Sequence, residues 1–188
     1  YESGGMPEAW DDVRGVFLDP EKVVGARAEE MKFFKNLGLY RRVPRALVKE
    51  INGKIVSTKW LDTNKGDKDN PNYRSRFVAQ EFNQGRDDTL YASTPPLEAL
   101  RLIISHAATE DENDKGVRKE LMINDVRRAY FNAKADPDDE PVYVSPPPGE
   151  GDSETMCAWL LRHMNGNRRA ADGRQEEYSS LMAKLGFF

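Results

Sequence analysis

Apolar residues recur at helical spacing in three stretches of the chain. The first follows Asp19-Pro20-Glu21, which supplies a capping side chain, a proline at the first helical position and an acid near the positive end of the helix dipole. Val24, Ala28, Met31 and Phe34 then fall along one side, and Gly38 offers a stop. The second opens at Thr94-Pro95-Pro96 and predicts a helix over 94–109, with Leu97, Leu100, Ile103, Ile104 and Ala107 as its apolar stripe. The third starts at Asp172 with Gln175 three residues on, a capping box, and runs to about Leu185 before Gly186. Its Tyr178, Leu181, Met182 and Leu185 are expected to face inward.

Between these stretches the period changes to two. Residues 54–61 read as a strand, 62–72 as a loop rich in Asp, Asn, Lys, Gly and Pro, and 73–82 as the returning strand, giving an antiparallel hairpin over 54–82. The second strand alternates Tyr73, Ser75, Phe77 and Ala79 on one face with Arg74, Arg76, Val78 and Gln80 on the other. Two arginines two residues apart on one face can grip adjacent phosphates. A strand over 117–126 would place Leu121, Ile123 and Asp125 on a common face, ending two apolar residues in a carboxylate. Shorter strands are expected at 141–145, ahead of Pro146-Pro147-Pro148-Gly149, and at 156–162. With no internal repeat and no sustained heptads, this order of helices and strands predicts an α+β fold.

Composition narrows the class without naming it. The chain has 188 residues, 38% hydrophobic and 32% charged, with a mean hydropathy of -0.75. That is enough for one ordinary domain, or one and a half small ones, with a core, and reads as a polar soluble chain. No apolar run approaches the roughly 20 residues that span a bilayer. The start, Tyr1-Glu2-Ser3-Gly4-Gly5, has neither a basic nor an apolar stretch, so no signal peptide is expected; lacking an initiator Met, the chain reads as a fragment or processed product. The lone Cys157 excludes an internal disulfide and, inside Met156-Cys157-Ala158-Trp159-Leu160-Leu161, reads as a small buried hydrophobe. With His106 and His163 as the only histidines, a Cys/His zinc site is not credible. The net charge of -4 is unevenly spread: residues 41–86 hold eleven Lys and Arg against five Asp and Glu, leaving -10 for the remainder. A basic segment in an acidic chain suits a local phosphate-facing surface, and equally a solvated hairpin face.

The candidate chemistry lies in Ile123-Asn124-Asp125-Val126-Arg127-Arg128-Ala129-Tyr130-Phe131-Asn132. A carboxylate at the mouth of a strand can hold a divalent metal where a phosphate arrives, and an aromatic a short turn away can floor a sugar. Taken singly, a strand-end Asp is more often a turn or cap residue, and a lone Tyr more often core.

Several blocks, in order, carry a family likeness. They are Glu29-Glu30-Met31 with Leu39-Tyr40-Arg41-Arg42-Val43-Pro44; Lys59-Trp60 with 73–82; Ser93-Thr94-Pro95-Pro96 with Leu100-Arg101-Leu102-Ile103; 125–132; Glu140-Pro141-Val142-Tyr143-Val144 with Pro147-Pro148-Gly149; and Leu161-Arg162 through Arg168-Arg169-Ala170 to Leu185-Gly186-Phe187. From about Ala26 onward the chain resembles the reverse transcriptase domain of copia-type LTR retrotransposon Pol polyproteins. The resemblance implies an N-terminal leader over 1–18, a fingers-like region over 19–116 and a partial palm over 117–188. It implies RNA-directed DNA synthesis with Mg²⁺ or Mn²⁺, Asp125 and the Val126 backbone carbonyl being metal ligands. By the same resemblance Arg74 and Arg76 would hold the triphosphate, Tyr130 would exclude a 2′-hydroxyl, and Arg168 and Arg169 would contact nucleotide or template. The implied partners are an RNA or DNA template–primer duplex, deoxynucleoside triphosphates and the rest of the polyprotein, with no membrane. The implied places are the cytoplasmic virus-like particle and the nucleus.

The departures matter as much. The family's second acidic motif, Tyr-x-Asp-Asp, does not occur in these residues: Asp11-Asp12, Asp87-Asp88 and Asp138-Asp139 all lack the tyrosine. One Asp leaves two divalent ions poorly neutralised, so the chain is expected to be inactive alone. Asn124 stands where an apolar residue usually precedes the Asp, Ala171 where Pro is usual, and Arg174 where Trp is usual. A non-catalytic relic that binds nucleic acid or protein, or a pseudogene product without function, are the alternative readings.

Overall fold

The computed structural model describes residues 8–81, 95–109, 119–123, 126–135, 140–147, 152–167 and 170–186. Helix α1 (Pro20–Leu37) forms as its sequence dictates. The Asp19 carboxylate accepts from the Glu21 and Lys22 N–H groups, and Gly38, at φ 61°, closes the other end in the left-handed region. Its buried face differs from the expected one. Val23, Glu30 and Phe34 are buried, whereas Val24 and Ala28 are exposed. The stripe escaped a polarity reading because two of its positions, Arg27 and Glu30, are charged and carry ion partners inside the fold.

After α1 come two elements that hydrophobic spacing did not reveal, β1 (Tyr40–Pro44) and the short α2 (Arg45–Glu50). A strand ending in proline can lie only at a sheet edge or terminus, and β1 does. The expected strand over 54–61 is two strands. β2 (Ile55–Val56) and β3 (Thr58–Asn64) part at Ser57, whose carbonyl accepts from the Gln80 N–H. β4 (Tyr73–Ala79) pairs antiparallel with β3 from Thr58↔Ala79 to Asn64↔Tyr73, so the hairpin itself forms as expected. β2 leaves for a second sheet. There it runs parallel to β5 (Tyr143–Val144), which is antiparallel to β6 (Met156–Leu160), which is antiparallel to β1; the order is β1-β6-β5-β2. This is a mixed α+β architecture.

Helix α3 (Leu97–Ala108) lies within the expected 94–109, but none of its residues is buried; Leu97, Leu100, Ile103 and Ile104 face solvent among the described residues. The strand expected over 117–126 is absent from its described residues. Residues 119–123 and Val126 belong to no strand, and Ile123 is 87% exposed. A strand requires a neighbour for its N–H and C=O groups, and no described strand pairs with this stretch. Helix α4 (Ala170–Lys184) begins before Asp172, so the Asp172–Gln175 pair lies inside it rather than at its start. Tyr178 and Leu181 on it and Leu185 just beyond it are exposed, correcting the inward expectation, while Met182 is half-buried. The end that packs is the small-residue end, at Ala170 and Gly173, where a Cβ on Gly173 would meet the His163 ring at 2.6 Å.

One core joins these parts. Phe34, Leu39, Val56, Phe77, Ala79, Phe131, Val144, Ala158, Leu160 and Met164 pack together, so α1, both sheets and the segment after β6 meet there. Cys157 is fully buried in a smaller cluster with Val48 and Tyr143; burial pushes its thiol up, as befits a structural residue. The N-terminal segment clasps the hairpin. The Asp11 carboxylate accepts from the Val13, Arg14 and Asn64 N–H groups, and Asp12 accepts from the Asp62 N–H. Asp62, buried, receives the Arg27 guanidinium and the Ser75 hydroxyl.

Two tests follow from this packing. Gly166, at φ 80°, lies so close to β4 that a Cβ would strike the Ala79 carbonyl, whereas Gly25 in α1 has open space around it. Gly166→Ala is expected to cost about 2–4 kcal/mol in urea unfolding, and Gly25→Ala to stabilise by about 0.5–1 kcal/mol. The N–H groups of Asn64 and Arg14 hold the Asp11 carboxyl below the ordinary aspartate value. A depressed folded value stabilises above the ordinary range and is lost as pH falls through it. Asp11→Asn is therefore expected to flatten the acid side of the stability profile, read from melts between about pH 3 and about pH 7.

Candidate nucleotide and nucleic-acid interface

Strand β4 presents the two arginines singled out by alternation. Ser75, Phe77, Val78 and Ala79 are buried, while Arg74 and Arg76 are exposed. The buried face lies under α1, through Phe34 against Phe77 at 6.5 Å between ring centroids. The guanidinium pair is thus built on a strand fixed from below, with its charge left to solvent.

The second part is the turn after Val126. Residues Ala129–Phe131 form a single 3-10 turn, in which the Phe131 N–H donates to the Arg128 carbonyl at 3.0 Å. Phe131 is buried against Phe33 and Phe34, with centroids at 5.7 and 5.2 Å. Tyr130 is half-buried and Val126 is 44% exposed. Beyond the turn, the Arg162 guanidinium donates to the Asn132 carbonyl at 2.9 Å, and the His163 N–H donates to the Ala133 carbonyl. Asp125, Arg168 and Arg169 lie outside the described residues.

One acidic residue, missed in the sequence, joins the two parts. Glu30 is 5% exposed on the buried face of α1, and its carboxylate meets the Arg128 guanidinium at 3.0 Å. The same guanidinium lies over the Phe33 ring, 3.7 Å from its centroid. Burial pushes the Glu30 carboxyl above the ordinary glutamate value; Arg128, then Arg74 and Arg76, pull it part of the way back. Glu30 thus takes up the Arg128 charge, while Arg74 and Arg76 stay exposed with charge suited to phosphate. The available signal was position: Glu30 falls seven residues after Val23 and four before Phe34, on the stripe both of them bury.

Arg128 also departs from ordinary backbone. It sits at φ 52°, ψ 42°, a left-handed conformation that costs a side-chain-bearing residue about 1–2 kcal/mol. The other described non-glycine residues with positive φ are Asn52 and Asp152, types that tolerate it. An arginine there needs tertiary contacts to hold it. Glu30→Gln removes the charge from this contact while keeping the side chain's shape. The raised Glu30 value adds a sign: its contribution is greatest below the ordinary glutamate range and is lost as pH rises through the folded value. Urea unfolding of Glu30→Gln across the same pH series should lack that loss.

Among the described residues no group of three or more His, Cys, Asp or Glu side chains could hold a metal ion, and no helix is long and apolar enough to cross a membrane. Neither a curated protein nor a solved structure matches the chain. A family model does: the one described as reverse transcriptase (RNA-dependent DNA polymerase) matches residues 45–188, from the start of α2 through the hairpin, the 3-10 turn and α4. Spanning well over half of the chain, that match shows that the protein belongs to the reverse transcriptase family.

Proposed function

We propose that these residues are the fingers and first part of the palm of a copia-type retrotransposon reverse transcriptase, and that alone they bind primer–template without extending it. The observation that carries this is the family match over 45–188, together with Arg74 and Arg76 facing solvent on one strand inside it. In this reading β3 and β4 are the fingers hairpin. Arg74 and Arg76 neutralise phosphate, and Tyr130 lies against the sugar and turns away a 2′-hydroxyl. Asp125 is the first catalytic carboxylate, and Arg168 and Arg169 contact nucleotide or template. Nucleotidyl transfer in such a polymerase draws on Mg²⁺ or Mn²⁺ to offset phosphate charge and activate the primer 3′-hydroxyl. Among the described residues no group of three or more His, Cys, Asp or Glu donors forms, and Asp125 lies outside them; in this reading Arg74, Arg76 and Tyr130 supply binding and orientation.

The alternative, a relic that binds nucleic acid or protein without catalysis, is motivated by Ala171 and Arg174, which stand where the family usually has Pro and Trp. Both nucleic-acid readings give the same first expectation. A fluorescent primer–template should bind the chain with a steep salt dependence. Arg74→Ala with Arg76→Ala should lower the log–log salt slope by about 2, and Asp125→Asn should leave binding intact. Binding that ignores both salt and the arginines would sink the proposal and leave protein docking as the surviving function. Extension of the primer by the wild-type chain, abolished in Asp125→Asn, would overturn the claim that it is inactive alone.

A further inference from the structure

The 3-10 turn is held on both sides of Tyr130. On one side Phe131 is buried between α1 and the rest of the core, in contact with Phe33 and Phe34. On the other, two residues before Tyr130, Arg128 is tied to the same helix through Glu30 and seated on the Phe33 ring. A single buried ring fixes one end of a turn and leaves it able to pivot. Two attachments to one rigid helix remove that freedom.

We propose that Glu30 and Arg128 are positioning residues for nucleotide recognition: their ion pair, laid on Phe33, sets the orientation in which Tyr130 meets the sugar of an incoming nucleoside triphosphate. The inference rests on the reading of Tyr130 as the sugar contact. It separates Arg128 from Arg74 and Arg76, which are exposed and point their charge to solvent. Arg128 meets the Glu30 carboxylate at 3.0 Å, and its guanidinium lies over the Phe33 ring. Such a guanidinium is committed to α1 rather than offered to a phosphate. The left-handed backbone at Arg128 points the same way, since a charged side chain holds that conformation only when something outside the turn restrains it. Glu30 also precedes the residues matched by the family model, so the pair ties the matched region to a helix outside it.

The test uses the whole 188-residue chain with Mg²⁺ present and compares dATP with ATP, which differ only in the 2′-hydroxyl. Calorimetry gives the ratio of the two dissociation constants, and amide hydrogen exchange reports on 128–132. Wild type is expected to prefer dATP by about tenfold. In Glu30→Gln the preference should fall below about threefold, with faster exchange confined to the turn. Arg128→Lys, which keeps the charge, should retain most of the preference. Arg128→Gly relieves the backbone and loses the tie, and it should behave like Glu30→Gln while remaining folded. An unchanged ratio in Glu30→Gln and Arg128→Gly overturns the proposal and leaves the Tyr130 reading standing. A wild-type chain that binds both nucleotides equally, or neither, overturns the Tyr130 reading and the proposal with it; faster exchange in Glu30→Gln would then show the pair to be an anchor of the fold alone.

Discussion

The Phe34 ring meets Phe131 at 5.2 Å and Phe77 at 6.5 Å, and those two contacts determine how the remaining parts can be arranged. Phe77 belongs to β4 and Phe131 to the turn after Val126. Neither element touches the other through a regular backbone ladder. Their relation is set by a third body, α1, whose aromatic side chains enter the gap from one side. Aromatic rings offset or tilted at such separations contribute beyond the area they bury, and they resist sliding. The helix acts as a template for the spacing between the basic strand and the turn.

Charge is used in the same joint. Arg27 on α1 pairs with Asp62 on β3, and Glu30, one turn further along α1, pairs with Arg128. Both pairs cross between elements, and both sit on the helix face that carries Phe34. A buried ion pair adds little net stability over an apolar contact, yet a misplaced partner is penalised heavily. Two such pairs flanking an aromatic contact therefore specify register more than strength. Asp11 and Glu30 pull the stability profile in opposite directions with pH, one favouring higher values and the other lower.

What could be read from the sequence depended on how local its cause was. Asp19, Pro20 and Gly38 act within a turn of where they stand, and α1 begins and ends where they put it. The alternation from Tyr73 to Ala79 is a property of one strand and holds from Arg74 to Phe77, but Val78, on the arginine face, is buried. The split at Ser57 depends on a parallel partner nearly ninety positions later, Tyr143 and Val144, which no window around residue 57 contains. Glu30 was hidden because a charged residue on a buried stripe looks like an interruption until its partner is known. Tyr178, Leu181 and Leu185 form a regular apolar stripe, and spacing alone could not say that α4 packs through Ala170 and Gly173 instead. Among the site residues, the exposure of Arg74 and Arg76 was legible; the tie from Arg128 to α1 was not.

Helix α1 precedes the stretch that defines the family, and the hairpin clasp formed by Asp11 and Asp12 precedes it further. A recombinant piece cut at Arg45 would follow the homology and lose Phe34, Glu30 and Arg27 together. Phe77 and Phe131 would each face a vacated space, Arg128 would keep an awkward backbone with nothing to restrain it, and Asp62 would be buried without its cation. The edge of the family match and the edge of the cooperative unit fall in different places, and expression boundaries, deletion series and comparisons with relatives should be set by the second.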